Sequence, residues 1–475
     1  MNLKKQHGVT FGLALAIFAG LVSGCTGVGT PLAGDAPQVV VADTGTETGY
    51  RSLIVGLDAP VTLADGSEVP AINFDNAATT PSFKAAADEV MAQLDYYGSI
   101  GRGKGQKSEH STAIYEDGRN VVLDFVGADP EIYTTFYVGN TTDGINKLAS
   151  ALVTSEDDVI LLSRLEHHAN DLPWRHLGKT VYAEVDEMGR LELDDVERLL
   201  KENEGAVKVV SVSAASNVSG YVNDVHAIAK LAHQYGADIV VDGAQIVAHR
   251  AFSMMGETEA ENIDYFVFSA HKMYAPFGSG AVVGVTDKLN AHMPAFYGGG
   301  IVDVVTDSTE TYLEAPARYE AGTPNYTGVV AMLTAIDILK NQIGFDYIEA
   351  HEQHLLQKTY AGLKEIEGVT LYDDYEHFTD KVGIIVFNID GLNSGDVAQM
   401  FADQKGIAVR QGAFCSHPYV FRLLGIPDEE ITEEMYQENF SMPGMVRVSF
   451  GVYNDDAEVD VLLDLVREIA ASVNE

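Results

Sequence analysis

"IDYFVFSAHKMYAPFGSGAVVGV" occupies residues 263–285. An apolar, β-favouring run leads into Ser269-Ala270-His271-Lys272, a glycine-punctuated turn follows, and a second apolar run closes the stretch. Both runs are apolar throughout rather than alternating, the pattern of strands buried on two faces. Lysine is rarely set between two such strands without a partner or a chemical task. Two readings are open at Lys272: an ordinary strand-end lysine, or an amine made nucleophilic near neutral pH by surroundings that depress its pKa.

The same pattern extends in both directions. Apolar strands are expected at "TTFYVG" (134–139), "DVILLS" (158–163), "VKVVSVSAA" (207–215) and "ADIVVDGA" (237–244). Helical sequence such as "TTDGINKLASALV" (141–153) and "DVHAIAKLAHQYG" (224–236) lies between them. This alternation predicts an α/β fold with a mostly parallel sheet. After a long helix near 328–342 the pattern becomes α+β, with "KVGIIVFNI", "SGDVAQMFADQKGIAVR", "MVRVSFGVYN" and a last helix "DDAEVDVLLDLVREIAAS". A large domain is expected at 71–335 and a smaller one at 336–475.

The 475 residues are 46% hydrophobic, ample for a large core, but 70 acids stand against 30 Lys and Arg. A net charge of −40 repels nucleic acid and anionic membrane. The acids are scattered rather than gathered in one tail, as on a solvated, self-repelling surface. At the N-terminus, basic "MNLKK" precedes the short apolar "VTFGLALAIFAGLV" and then "VSGC", ending at Cys25. That order reads as an export signal over 1–24, and Val-Ser-Gly-Cys resembles the lipobox of bacterial lipoproteins. The expectation is an exported lipoprotein, lipidated at Cys25 and touching membrane only through that anchor. Residues 25–70 would form a small, Gly/Thr-rich tether and N-terminal segment. The second cysteine, Cys415, would then be an unpaired thiol outside the cytoplasm.

Parallel α/β sheets collect ligands at the carboxyl ends of their strands. Asp242, Asn217, His167, Ser269, His271 and Lys272 all fall at such ends. Thr141 and Thr142 open a helix, whose free N–H groups favour a phosphate. Taken singly, each has a plainer explanation: Asp242 an N-cap, His167 a satisfied strand-end histidine, Thr141 and Thr142 a capping pair. Together they suit pyridoxal phosphate, which needs a lysine, an acid for its ring nitrogen, a flat group over the ring and a phosphate cup. No metal is expected.

With these residues in place the sequence resembles the class V aminotransferase family of fold-type I enzymes, most closely the cysteine desulfurase and selenocysteine lyase branch. The resemblance rests on "NFDNAATT" (73–80), "TTDGIN" (141–146), "EHHAN" (166–170), "VDGAQ" (241–245), "SAHKMYAPFGSG" (269–280), "YEAGTPN" (319–325) and "VRQGAFC" (409–415), in family order. It implies a large, mixed, mostly parallel sheet domain, a smaller α+β C-terminal domain and a homodimer. By this resemblance Lys272 carries the cofactor and shuttles protons, Asp242 pairs with the ring nitrogen, and Gln245 bonds the phenolic oxygen. His167 stacks on the ring, while Thr141, Thr142, Ser269 and His271 hold the phosphate, with Thr323 reaching in from a second subunit. Asn217 and Arg447 bind the carboxylate of a small amino acid, and Arg102 lines the same pocket. Cys415 takes sulfur from L-cysteine as a persulfide, leaving alanine, and passes it to an unknown acceptor. "GAFCSHP" departs from the motif of the best-known members, and His417 reads either as a tuner of the thiol or as a loop residue. Two alternatives stay open: another class V activity (aminotransferase, epimerase or C–S β-lyase) with Cys415 incidental, or a catalytically silent surface lipoprotein.

Overall fold

The computed structural model describes residues 50–372, 378–432 and 443–473. The expected export signal, Cys25 and most of the expected tether lie outside the described residues. Seven strands form the main sheet: β1 (Tyr133–Val138), β2 (Val159–Ser163), β3 (Lys179–Ala183), β4 (Val207–Ser213), β5 (Asp238–Asp242), β6 (Tyr265–Ser269) and β7 (Gly280–Val285). Their order is β1-β7-β6-β5-β4-β2-β3. All pairings are parallel except those of β7, which runs antiparallel to both β6 and β1. The connection 270–279 joins β6 to β7 and begins with the turn Ala270–Lys272, so Lys272 sits where the chain reverses.

The opening stretch lacks alternation because both faces of the sheet are covered. Phe266 and Phe268 belong to one core, with Ala281 and Val283. Tyr265 and Val267 point the other way into a second core, with Val282 and Phe136. The period of two is intact, and both sides are apolar. The helix Thr141–Leu152 lies on the second face and is capped by the Asn140 side chain, which accepts from the Asp143 amide. Gly144 allows its close approach, since a Cβ there would stand 2.5 Å from Val267 Cγ1. Gly243, after Asp242, is likewise required: a Cβ would fall 2.0 Å from Phe266 Cζ. Both glycines let backbone or helix approach the sheet at strand ends.

The C-terminal part adds an antiparallel sheet of β8 (Val369–Leu371), β9 (Ile384–Ile389), β10 (Arg410–Gly412) and β11 (Met445–Ser449), in the order β8-β9-β11-β10. Helices Phe345–Lys364, Ser394–Lys405 and Asp456–Val473 contribute to its separate core. The long helix expected near 328–342 is Tyr326–Asp337, continued by a π-helical turn, Ile338–Ile343. An early segment belongs to the C-terminal part: Ile72–Asn73 pairs in parallel with Ile407–Ala408, and Phe74 is buried in the C-terminal core. Thr48–Glu475 pack as one compact unit containing both sheets. Among the described residues no single helix is long and apolar enough to cross a membrane.

Candidate active site

The carboxyl ends of β2, β4, β5 and β6 meet the C-terminal sheet around a cavity of about 450 Å³. Its wall includes Thr141, Thr142, His167, Asn217, Asp242, Gln245, Ser269, His271, Lys272, Cys415 and Arg447. The strand ends at Ser163, Ser213, Asp242 and Ser269 are thus brought to one place by the parallel arrangement. Two further residues stand outside this cavity, one of them, Thr323, expected to serve a second subunit. Thr323 is exposed and does not line the cavity of its own chain. Arg102, expected in the pocket, is also exposed outside it; its guanidinium turns to the Val302 carbonyl at 3.5 Å.

Lys272 ends a 3-10 turn, Ala270–Lys272, directly after β6. The residue is partly open to the cavity, yet protein surrounds its amine closely. Burial lowers its pKa to about 8; Asp242 and Cys415 oppose the shift, and Arg447 adds to it. The buried Asp242 carboxyl accepts the Ala244 amide at 2.9 Å. Burial raises its pKa, against that hydrogen bond and the charge of Lys272. His167 Nδ1 accepts from the Ala169 amide at 3.0 Å, which leaves the proton of the neutral ring on Nε2. Burial and the Lys272 charge lower its pKa to about 3, so the ring is neutral in ordinary buffers. His271 is lowered to about 4, again by burial and Lys272.

The helix Thr141–Leu152 points its N-terminus at the same space, where Ser269 Oγ accepts the Thr141 amide at 2.7 Å and lies 2.7 Å from Thr141 Oγ1. Helix-terminal N–H groups and hydroxyls make a suitable phosphate cup. Gln245 donates Nε2 to the Ala77 carbonyl at 2.9 Å, while its buried Oε1 has no hydrogen-bond partner in the structure. Arg447 Nε is buried and unpartnered in the same way. Unsatisfied buried polar atoms are unusual, and two on one cavity wall fit a site built for a polar ligand. The donors, neutral imidazole, carboxyl and lysine match the requirements of pyridoxal phosphate.

Sequence reasoning missed the carboxylate between the two arginines. Arg410 and Arg447 are direct cross-strand partners on β10 and β11. Asp75 joins them, with Oδ2 2.7 Å from Arg410 Nη2 and Oδ1 3.2 Å from Arg447 Nη2. Burial lowers the Arg447 pKa to about 10, and Asp75 opposes that shift. The acid was in view within "NFDNAATT"; its signal is the counter-charge that two arginines at a binding site require. Glu166, another missed residue, is buried beneath His167, where Asn170 Nδ2, the hydroxyls of Ser163 and Ser213, and the Ser213 amide all donate to it. His417 is helical rather than a loop residue: it opens the helix His417–Leu423, packs on His168 with ring centroids 4.6 Å apart, and lines a separate cavity.

The lowered pKa of Lys272 has a direct test. In the cofactor-free chain, peptide-resolved acetylation at graded pH should give Lys272 a midpoint near pH 8, the reactive unprotonated amine increasing as pH rises through that value. A midpoint in the ordinary lysine range, about 10.4, would mean that the amine is not enclosed.

The chain is similar to known proteins over most of its length. Residues 72–462 match the family model described as aminotransferase class-V. A cysteine desulfurase of Haloferax volcanii is 31% identical over 411 residues, 85% of this chain and 90% of the relative. A probable cysteine desulfurase of Vibrio cholerae is 31% identical over 84% of this chain and 93% of its own length. Among solved structures, the apo cysteine desulfurase of Thermococcus onnurineus aligns with a TM-score of 0.75 at 31% identity, covering 85% of this chain and 95% of that one. These matches, together with a strand-end lysine facing an acid across the cavity wall, establish that the chain belongs to the class V aminotransferase family.

Proposed function

We propose that this chain is a pyridoxal phosphate-dependent cysteine desulfurase-like enzyme that removes sulfur from L-cysteine through Cys415 and leaves alanine. The observation that carries the reading is the placement of Cys415 on the same cavity wall as Lys272, Asp242 and Arg447. The similarity to cysteine desulfurases over most of the chain supports it. When bound, pyridoxal phosphate supplies an aldehyde for a lysine amine and an electron sink for the substrate carbon. Lys272 would hold the aldehyde, Asp242 the ring nitrogen, Gln245 the phenolic oxygen and His167 the ring face. Thr141, Thr142, Ser269 and His271 would hold the phosphate.

The substrate carboxylate adds a second anion to a site holding two guanidinium cations and one acid, Asp75. Arg447 orients that carboxylate, as a forked donor does well. The Cys415 thiolate attacks the substrate sulfur, so an S–S bond forms as the C–S bond breaks. The electron pair of the broken bond stays with the substrate carbon, and Lys272 returns a proton to the alanine skeleton. An acceptor thiol then takes the terminal sulfur and restores Cys415. With reductant present, L-cysteine should give alanine and sulfide in equal amounts. Cys415→Ser should lose at least about a hundredfold in that activity, since a hydroxyl is a poor nucleophile toward sulfur. Pyruvate with sulfide would mark a β-lyase instead, and a serine variant at the parent rate would make Cys415 incidental.

A homodimer with composite sites also fits. Phe277, Phe296 and Tyr297 are large apolar side chains left exposed. The Gly322 amide donates to the Gly299 carbonyl at 2.8 Å, tying the Thr323 loop to the segment that carries Phe296 and Tyr297. Association there would bring Thr323 to the partner's phosphate site. Sedimentation velocity should find a dimer at assay concentrations, and a fully active monomer would overturn the assignment.

Export with lipidation at Cys25 rests on the sequence order "MNLKK", apolar run and "VSGC". Labelled fatty acid should enter the parent protein but not Cys25→Ala, and the parent should fractionate with the cell envelope. Unprocessed protein in the cytosol would end this reading.

A further inference from the structure

Asn217, expected to hold the substrate carboxylate, has both ends of its side chain engaged by the turn that carries Cys415. Its Nδ2 donates to the Phe414 carbonyl at 2.8 Å, and its Oδ1 accepts from the Ser416 hydroxyl at 2.9 Å. Phe414, Ser416 and Asn217 are buried, whereas Cys415 between the first two is exposed. Phe414 and Cys415 both have left-handed backbone, with φ of 51° and 56°. Residues other than glycine keep that conformation only where their surroundings hold it. The Ser416 amide donates to the Ala413 carbonyl at 2.8 Å, and the His168 amide to the Cys415 carbonyl at 2.7 Å. The Phe414 ring lies under the Arg447 guanidinium, 5.0 Å from its centroid, and Arg447 Nη1 donates to the Asn217 carbonyl at 2.7 Å.

We propose that Ser416 is a positioning residue: through Asn217 it fixes the left-handed turn that aims the Cys415 thiol at the substrate sulfur. The proposal rests on Cys415 being the sulfur acceptor. Alanine at 416 would leave Asn217 Oδ1 buried without its donor, and Asn217 would lose one of its two holds on the turn. One N–H of the Asn217 amide remains for a substrate carboxylate. The same side chain therefore meets the substrate on one side and the thiol turn on the other. A thiol misplaced by a fraction of an ångström loses in-line approach while cofactor and carboxylate sites persist.

Ser416→Ala in the full, cofactor-loaded chain separates positioning from general damage. Alanine production from cysteine should fall about tenfold in kcat, with KM within about twofold. Exchange of the L-alanine α-proton with deuterated water uses Lys272 but no thiol, and should keep its parental rate. In the cofactor-free protein, the His168 and Ser416 amides should lose protection from hydrogen exchange. Parental desulfuration, a parallel loss of desulfuration and α-proton exchange, or unchanged amide protection would each overturn the proposal. Cys415→Ser tests the underlying reading separately: a parental rate there defeats the acceptor assignment, whereas an inactive Cys415→Ser beside a parental Ser416→Ala defeats the clamp alone.

Discussion

Burial disfavours the charge of Lys272 more strongly than Asp242 and Cys415 favour it, bringing the amine to about pKa 8. Asp242 stands in the mirror position, its carboxyl raised by burial and held back by Lys272. Each group makes the other's charge less costly, and neither removes the cost of leaving water. This balance depends on the ends of β5 and β6 lying side by side, with Asp242 paired in register to Val267. It depends also on Gly243, whose missing Cβ leaves room for Phe266 behind the acid. Such a pair is of little use for stability and well suited to proton transfer near neutral pH.

The second sheet raises an electrostatic problem of its own. Arg410 and Arg447 face each other across an antiparallel pair, an arrangement that repels. Asp75 relieves it, and it stands next to Phe74, which the C-terminal core buries. The pairing of Ile72–Asn73 with Ile407–Ala408 delivers the acid to that place. The segment from the start of the described fold is therefore a structural part of the C-terminal half of the site. Two guanidinium groups and one carboxylate leave a single positive charge in excess, which a substrate carboxylate would neutralise.

Strand ends were legible in the sequence because each begins after an unbroken apolar run, and polar residues there have few structural tasks. His167, Asp242, Ser269 and Lys272 could be read in that way, and the cap of the Thr141–Leu152 helix was equally local. The reversed direction of β7 was not legible, because an apolar run buried on both faces carries no mark of its direction. The engagement of Asn217 with Phe414 was hidden for another reason: the partners are 197 residues apart in sequence. Arg102 lies outside the cavity of its own chain, its guanidinium turned to the carbonyl of Val302, 200 residues away in sequence.

The Cys415 turn meets two demands that ordinarily conflict. For the proposed sulfur transfer its thiol would have to reach the substrate within the cavity and then remain open to an acceptor outside it. Cys415 lines the cavity and is exposed, while both flanking residues are buried. Two consecutive left-handed residues achieve this over a very short length of chain, at about 1–3 kcal/mol each. Four hydrogen bonds restrain the turn, from Asn217, the Ser416 hydroxyl, the Ser416 amide and the His168 amide. At about 1 kcal/mol net each they are of the size needed to offset that strain. Three of the four involve Asn217 or Ser416, so the thiol's placement is sensitive to a residue that never touches substrate.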